Sequence, residues 1–346
     1  MRSKIVRYFG KVFETSLGKR LGKVFGKALR SHVLCLILLC VIVGCAEETV
    51  PAPLLRHIVS PYTEQTIAFF EKSSAEGRPN QLRTVQIDES RCILRVQAQH
   101  LSIYLNKHTL ETVPEKLVEG IKFQWLTMKS DGPVDIAVLD KILSVFGRIN
   151  VSWLELADLE IDEVSSNTDE YPQTPKCVLN VAELWVTSTL KSSIVWFQDR
   201  VDLSESQIRL ILYCKPDFGN LEVLDGFNAA GITRLMLYDI ANLDSLDCKL
   251  LREAPLPNGL DIGGSNAGLT PKISEEVVRG MLTKEWVDLS MPVEVWEELM
   301  KPNDQPKHLT VDSLTIYLAL SQGQTLPSMG MSRATAKHLT LNFRED

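Results

Sequence analysis

The chain has 346 residues, 45% hydrophobic and 23% charged, a balance that fits a folded protein rather than a disordered one. Its net charge of −7 joins a basic start, with nine Lys or Arg against one acid in residues 1–32, to a body of 28 basic and 43 acidic residues, a net of −15. An acidic body argues against a nucleic-acid surface, where Lys and Arg contacts dominate, and favours basic partners.

Residues 1–32 place Ile5, Phe9, Val12, Phe13, Leu17, Leu21, Val24 and Phe25 at helical spacing among Lys and Arg. This predicts either a basic amphipathic helix on an anionic membrane or an extended n-region of a signal. Residues 33–46 follow, with no charge from 33 to 44. That run is short of the ~20 residues of a spanning helix and within the ~7–15 of a signal h-region. Two processing readings overlap there. A signal would be cut before Glu47, whereas Ile42-Val43-Gly44-Cys45 resembles a bacterial lipobox that would lipidate Cys45. Either reading puts the body on the non-cytosolic side, secreted, membrane-anchored or held as a cell-envelope lipoprotein. Residues 47–60, with Pro51 and Pro53, read as a tether. Residues 61–98 read as an N-terminal cap, with a helix near 63–74 and a strand at 92–97.

From residue 99 onward ten apolar-x-apolar doublets recur: Leu101/Ile103, Leu126/Met128, Leu154/Leu156, Leu184/Val186, Leu210/Leu212, Leu235/Leu237, Leu260/Ile262, Val287/Leu289, Leu314/Ile316 and Leu339/Leu341. Their first members are 25 to 30 residues apart. Such a period marks a solenoid, in which each unit buries its apolar face only against a neighbour. Helices are predicted at 133–146 before Gly147, at 274–282 behind a Ser274 cap, and at 290–300 with Ser290 as cap and Pro292 in the first turn.

Leu-x-x-Leu-x-Leu is the repeat core of leucine-rich-repeat proteins, and residues 95–346 resemble their ribonuclease-inhibitor-like subgroup. The resemblance implies an α/β solenoid, a horseshoe of about ten repeats with parallel strands on the concave side and helices on the convex side. The chain departs from the family where Asn or Cys is expected three residues past the second Leu. Only Asn106 fits; Asp131, Leu159, Thr189 and Ile240 stand at other equivalents.

The six histidines show no HxxxH or HExxH spacing, and no GxSxG, P-loop or dinucleotide fingerprint occurs. The glycine-rich stretch at 263–268 lacks a following Lys-Ser/Thr and reads as a repeat turn. No CxxC occurs, so zinc is not expected. Cys92, Cys177, Cys214 and Cys248 read as buried thiols or, in an oxidising compartment, as bridges between neighbouring repeats. The expectation is a protein with no catalytic residues, no metal and no cofactor.

Period-2 alternation turns the residues around each doublet to the opposite face. The first outward column is then His100, Trp125, Trp153, Glu183, Arg209, Arg234, Gly259, Trp286, Ser313 and His338. The second is Ser102, Thr127, Glu155, Trp185, Ile211, Met236, Asp261, Asp288, Thr315 and Thr340. The third is Tyr104, Lys129, Ala157, Thr187, Tyr213, Tyr238, Gly263, Ser290, Tyr317 and Asn342. Four of six tryptophans and four of seven tyrosines fall in these columns. Exposed aromatics on a sheet are typical interface anchors. The expected ligand site is Trp153, Glu155, Trp185, Arg209, Ile211, Tyr213, Arg234, Met236, Tyr238, Asp261 and Asp288. Its apolar centre and acidic flanks suit a protein or peptide bearing basic residues.

Overall fold

The computed structural model describes residues 62–74, 80, 82–88, 91–96, 100–118, 121–161, 176–213, 219–240, 243–263, 270–301, 307–320 and 333–345. The segments at 1–32, 33–46 (with Cys45) and 47–60 lie outside the described residues, as does Cys214. Among the described residues no helix is long and apolar enough to cross a membrane.

Helix α1 (Thr63–Lys72) is followed by an antiparallel hairpin, β1 (Leu82–Asp88) and β2 (Arg91–Val96), which forms its own two-stranded sheet. Phe69 and Phe70 of α1 are buried and meet edge to face, with ring centroids 5.2 Å apart. Then come β3 (His100–Tyr104), β4 (Lys122–Lys129), the two-residue β5 (Pro133–Val134), α2 (Ile136–Phe146) and β6 (Arg148–Ala157). The two-residue β7 (Glu160–Ile161), β8 (Cys177–Thr187), α3 (Lys191–Arg200), the two-residue β9 (Val201–Asp202) and β10 (Ile208–Tyr213) continue the chain. It closes with β11 (Ile232–Tyr238), α4 (Lys249–Arg252), β12 (Gly259–Ile262), α5 (Glu275–Thr283), β13 (Glu285–Pro292), α6 (Val293–Met300), β14 (His308–Leu320) and β15 (Arg333–Glu345).

Ten strands pair in strict chain order, each parallel to the next, from β3 through β4, β6, β8, β10, β11, β12, β13 and β14 to β15. The class is α/β, built on this one large parallel sheet, which β9 joins beside β8.

The sequence explains the strands through three inward positions rather than two. Phe123, Val151, Val181, Ile232, Trp286 and Val311 are buried three residues before Leu126, Leu154, Leu184, Leu235, Leu289 and Leu314. The two residues between them both face away, so alternation breaks once in each of these strands. In β13 the break is a bulge: the Val287 and Asp288 amides both donate to the Asn258 carbonyl, at 3.0 and 3.4 Å. This corrects the eighth doublet. Leu289 and Met291 are the buried pair, while Val287 is 57% exposed. Trp286 therefore leaves the outward columns for the core, where its indole N–H donates to the Met281 carbonyl at 2.8 Å.

The helices conform to the sequence in part. Asp135 caps α2 through the Ala137 amide at 2.8 Å, and Gly147, at φ +59°, ends it in the left-handed region. Ser274 caps α5. Ser290, by contrast, lies buried inside β13, which runs on to Pro292, and α6 starts at Val293 with no side-chain cap. Among the described residues, only four connections within the sheet carry an α-helix of eight residues or more. The described part of the link from β10 to β11 contains Gly219, Gly226 and Gly231 and holds only short 3-10 turns, since glycine disfavours a helix interior. A helix in every repeat is therefore not what this chain forms.

The positions three residues past the second apolar residue of each doublet are met piecemeal. Leu159 and Ile240 are simply buried, while the Thr189 hydroxyl donates to the carbonyls of Leu156 and Thr187 at 3.0 and 3.1 Å. Asp158, Ser188 and Asp239, the residues just after β6, β8 and β11, each take φ near +50°, a conformation small polar side chains tolerate best.

The two edges of the sheet differ. At the β3 edge, the buried Asn80 side chain behaves as a strand neighbour. It accepts from the Ser102 amide at 3.0 Å and donates to the Ser102 and Phe70 carbonyls at 2.6 and 2.8 Å. At the other edge, the β15 residues that continue the buried row of Leu314 and Ile316 are open: Leu339 is 61% and Leu341 40% exposed. Cys177 and Cys248 are buried free thiols, which burial pushes up to about 12; they do not bridge repeats.

Candidate functional site

The Leu rows and the helices share one apolar core, leaving the opposite side of the sheet as an open face. The parallel register fixes its columns. Across β4, β6, β8, β10, β11 and β12 the first column reads Trp125, Trp153, Glu183, Arg209, Arg234 and Gly259. The second has Thr127, Glu155, Trp185, Ile211, Met236 and Asp261 over the same strands. The β13 bulge shifts one strand by two residues, so Asp288 stands beside Gly259 in the first column and Ser290 beside Asp261 in the second.

On the first half of this face three tryptophans converge. The Trp125 and Trp153 rings meet at 78° with centroids 5.3 Å apart, and His100 lies 5.0 Å from Trp125. β4 and β8 are separated by β6, about 9.6 Å from one another at the usual strand spacing. Their rings nevertheless approach: Trp125 and Trp185 centroids are 6.3 Å apart, so both side chains lean over β6. All three rings remain partly exposed, while the Trp125 indole nitrogen is buried without an acceptor.

Glu155 of β6 sits beneath that convergence. Its carboxylate accepts from the Thr127 hydroxyl at 2.8 Å and from the Thr187 hydroxyl at 3.4 Å. Because the single Thr127 proton goes to Glu155, the His100 Nε2 contact with Thr127 at 2.6 Å has the imidazole as donor. One strand over, Glu183 accepts from the Trp185 indole at 3.2 Å and pairs with Arg209.

The second half holds a different network. The Arg234 guanidinium bonds Asp288 at 2.5 Å and lies 3.7 Å from Asp261, and the Tyr238 hydroxyl donates to Asp261 at 3.0 Å. Two glycines make this possible. A Cβ at Gly259 would come within 3.1 Å of the Arg234 stem, and one at Gly263 within 2.2 Å of the Tyr238 ring, so both side chains lie flat across β12. Burial holds the Asp261 carboxyl above its ordinary range, assisted by the charge of Asp288 and opposed by Tyr238 and Arg234. Burial followed by the Asp261 charge raises the Tyr238 phenol. Tyr213 is 44% exposed, and its phenol is raised by a hydrogen bond to Asp239.

Of the expected site residues, the register does bring Trp185, Ile211 and Met236 side by side. Ile211, however, is only 3% exposed and serves as floor rather than contact surface. Asp261 and Asp288 share Arg234, so one of that flank's two negative charges is balanced from within. The sequence-chosen set leaves out Trp125, Thr127 and Glu183, which the structure places in contact with the chosen residues, and His100, which reaches them through Trp125 and Thr127. The signal was present in Trp125 and Trp153, two tryptophans in the same column of successive strands.

Among the described residues no group of three His, Cys, Asp or Glu side chains is arranged to hold a metal ion. No protein family, no curated protein and no solved structure matches this chain. The arrangement thus defines a class by geometry alone: an α/β protein with a ten-strand parallel sheet and an aromatic, charge-patterned open face.

Proposed function

We propose that this chain is a non-catalytic binding protein, a leucine-rich-repeat-like solenoid whose open, concave sheet face takes a protein or peptide segment. The observation that carries the reading is the convergence of Trp125, Trp153 and Trp185 over β6 with ring surface still exposed. Packing of the rings on one another accounts for their touching edges and leaves the exposed surface without a role. Rigid aromatic area of this kind contributes most where a partner excludes water from it. Chain-ordered parallel strands at a spacing of 25 to 30 residues support the solenoid.

The N-terminal part of the proposal rests on sequence: a basic stretch and a short apolar run export the body or hold it at a membrane, with lipidation of Cys45 as the alternative to an ordinary signal. Mass spectrometry of the mature N-terminus separates these, since an acylated Cys45 rules out cleavage before Glu47. For the binding face, a photo-crosslinking p-benzoylphenylalanine replaces Tyr213 on the open face or Val195, 46% exposed on α3, in the producing cell. The expected result is a polypeptide adduct from position 213 and none from 195. Equal labelling, or none at 213, refutes the open face as the binding surface.

A further inference from the structure

The carboxylates in the columns of the open face are not equivalent. Glu183 is paired with Arg209, and Asp261 and Asp288 share Arg234. Among the described residues Glu155 has two hydroxyl donors and no cationic side chain as partner. Lys129, on the adjacent strand, is turned instead over the Tyr104 ring, its ammonium 4.8 Å from the centroid. Each Glu155 oxygen accepts a single hydrogen bond, so each retains capacity for another. Trp153 shares its strand and face, and Trp185 stands directly opposite on β8, leaning over it. A half-buried, unneutralised carboxylate under partly exposed indole rings is the complement of a planar cation.

We propose that Glu155, Trp153 and Trp185 form a specificity pocket for an arginine side chain of the bound polypeptide, a statement that rests on the binding reading above. The guanidinium would fork onto the free lone pairs of Glu155 and lie against an indole face. Thr127 and Thr187 are positioning residues: their hydroxyls hold the carboxylate in place, and His100 in turn orients Thr127. The acidic pair near Arg234 keeps one net negative charge, but both of its carboxylates already face that guanidinium, whereas Glu155 faces no cation.

The test pans a random twelve-residue peptide library on the full-length chain and on Glu155→Gln, which keeps the shape, with its amide oxygen still accepting from Thr127 and its amide nitrogen donating to the Thr187 hydroxyl. A melting curve of each confirms the fold. The wild type is expected to enrich peptides with an arginine. Replacing that arginine by citrulline, which has the same shape and no charge, should weaken binding about tenfold. With Glu155→Gln the same replacement should matter less than about twofold, while aromatic and apolar preferences persist. Enriched peptides without a basic residue, or an equal citrulline effect on both proteins, overturn the pocket and leave the binding face standing. No enrichment by either protein overturns both.

Discussion

His108 ties the stability of the N-terminal end to pH. It is buried, stacked on Phe69 with ring centroids 4.7 Å apart, and its Nε2 lies 2.7 Å from the Ser73 hydroxyl. That hydroxyl gives its own proton to the Phe69 carbonyl, so Nε2 is the donor and Nδ1 the bare nitrogen. Nδ1 is buried with no partner, and a proton placed there would be charged and unsatisfied. Burial first, then the nearby charges of Lys72 and Lys107, lowers the His108 pKa from 6.5 to about 4. Between those two values the unfolded chain binds a proton that the folded chain does not, so stability falls as pH falls. From neutral pH to about pH 5 the loss attributable to His108 is about 2 kcal/mol, rising towards about 3 kcal/mol below about pH 4. Urea unfolding across that range should show it as the difference between the wild type and His108→Gln, which stays polar beside Ser73 and cannot titrate. Parallel pH profiles for the two proteins would refute this account of the site.

Asn80→Ala strips the β3 edge of its substitute strand and should cost about 2–3 kcal/mol, because the Ser102 amide and carbonyl lose their Asn80 partner, while the Phe70 carbonyl keeps only the Ser74 hydroxyl. Denaturant midpoints report it, and a loss under about 0.5 kcal/mol contradicts the edge role. Leu314 and Leu339 are register partners in one row, 3% and 61% exposed. Leu314→Ala should cost about 2–5 kcal/mol and Leu339→Ala under about 1 kcal/mol, so equal losses would show that β15 is covered in solution. Arg234→Met keeps the stem over Gly259 but leaves Asp261 and Asp288 without a cation, at about 2 kcal/mol near neutral pH. Adding Asp261→Asn should recover much of that; a strictly additive double variant argues against the shared network.

Spacing alone located eight buried doublets and a ninth, Leu339/Leu341, that keeps the register but lies open on β15, because a parallel strand that covers a core must repeat its apolar pair at each pass. The tenth, in β13, was misplaced by two residues. Val287 and Leu289 satisfy the same pattern as Leu289 and Met291, and only the bulge at Asn258 decides between them. That choice moved Trp286 from the face to the core and Asp288 to a position beside Gly259, within reach of Arg234. The helix at 136–146 was likewise legible from its apolar spacing, Asp135 and Gly147. The helix-poor link between β10 and β11 was not, since the doublets say nothing of what joins them.

By itself, then, the sequence determined, outside β13, which face of each strand's doublet is apolar, the order of the strands, and which columns lie on the opposite face. Period and phase are local properties of a chain, and a one-residue slip would exchange the two faces. Pairing among side chains on the open face depended on contacts between strands some 25 to 30 residues apart. Arg234 pairs with both Asp261 and Asp288, Arg209 with Glu183, and Glu155, beside the leaning rings of Trp125 and Trp185, is the carboxylate whose partners are hydroxyls alone. Such selection follows from side-chain direction, burial and the room two glycines provide, which exist only once the sheet is assembled.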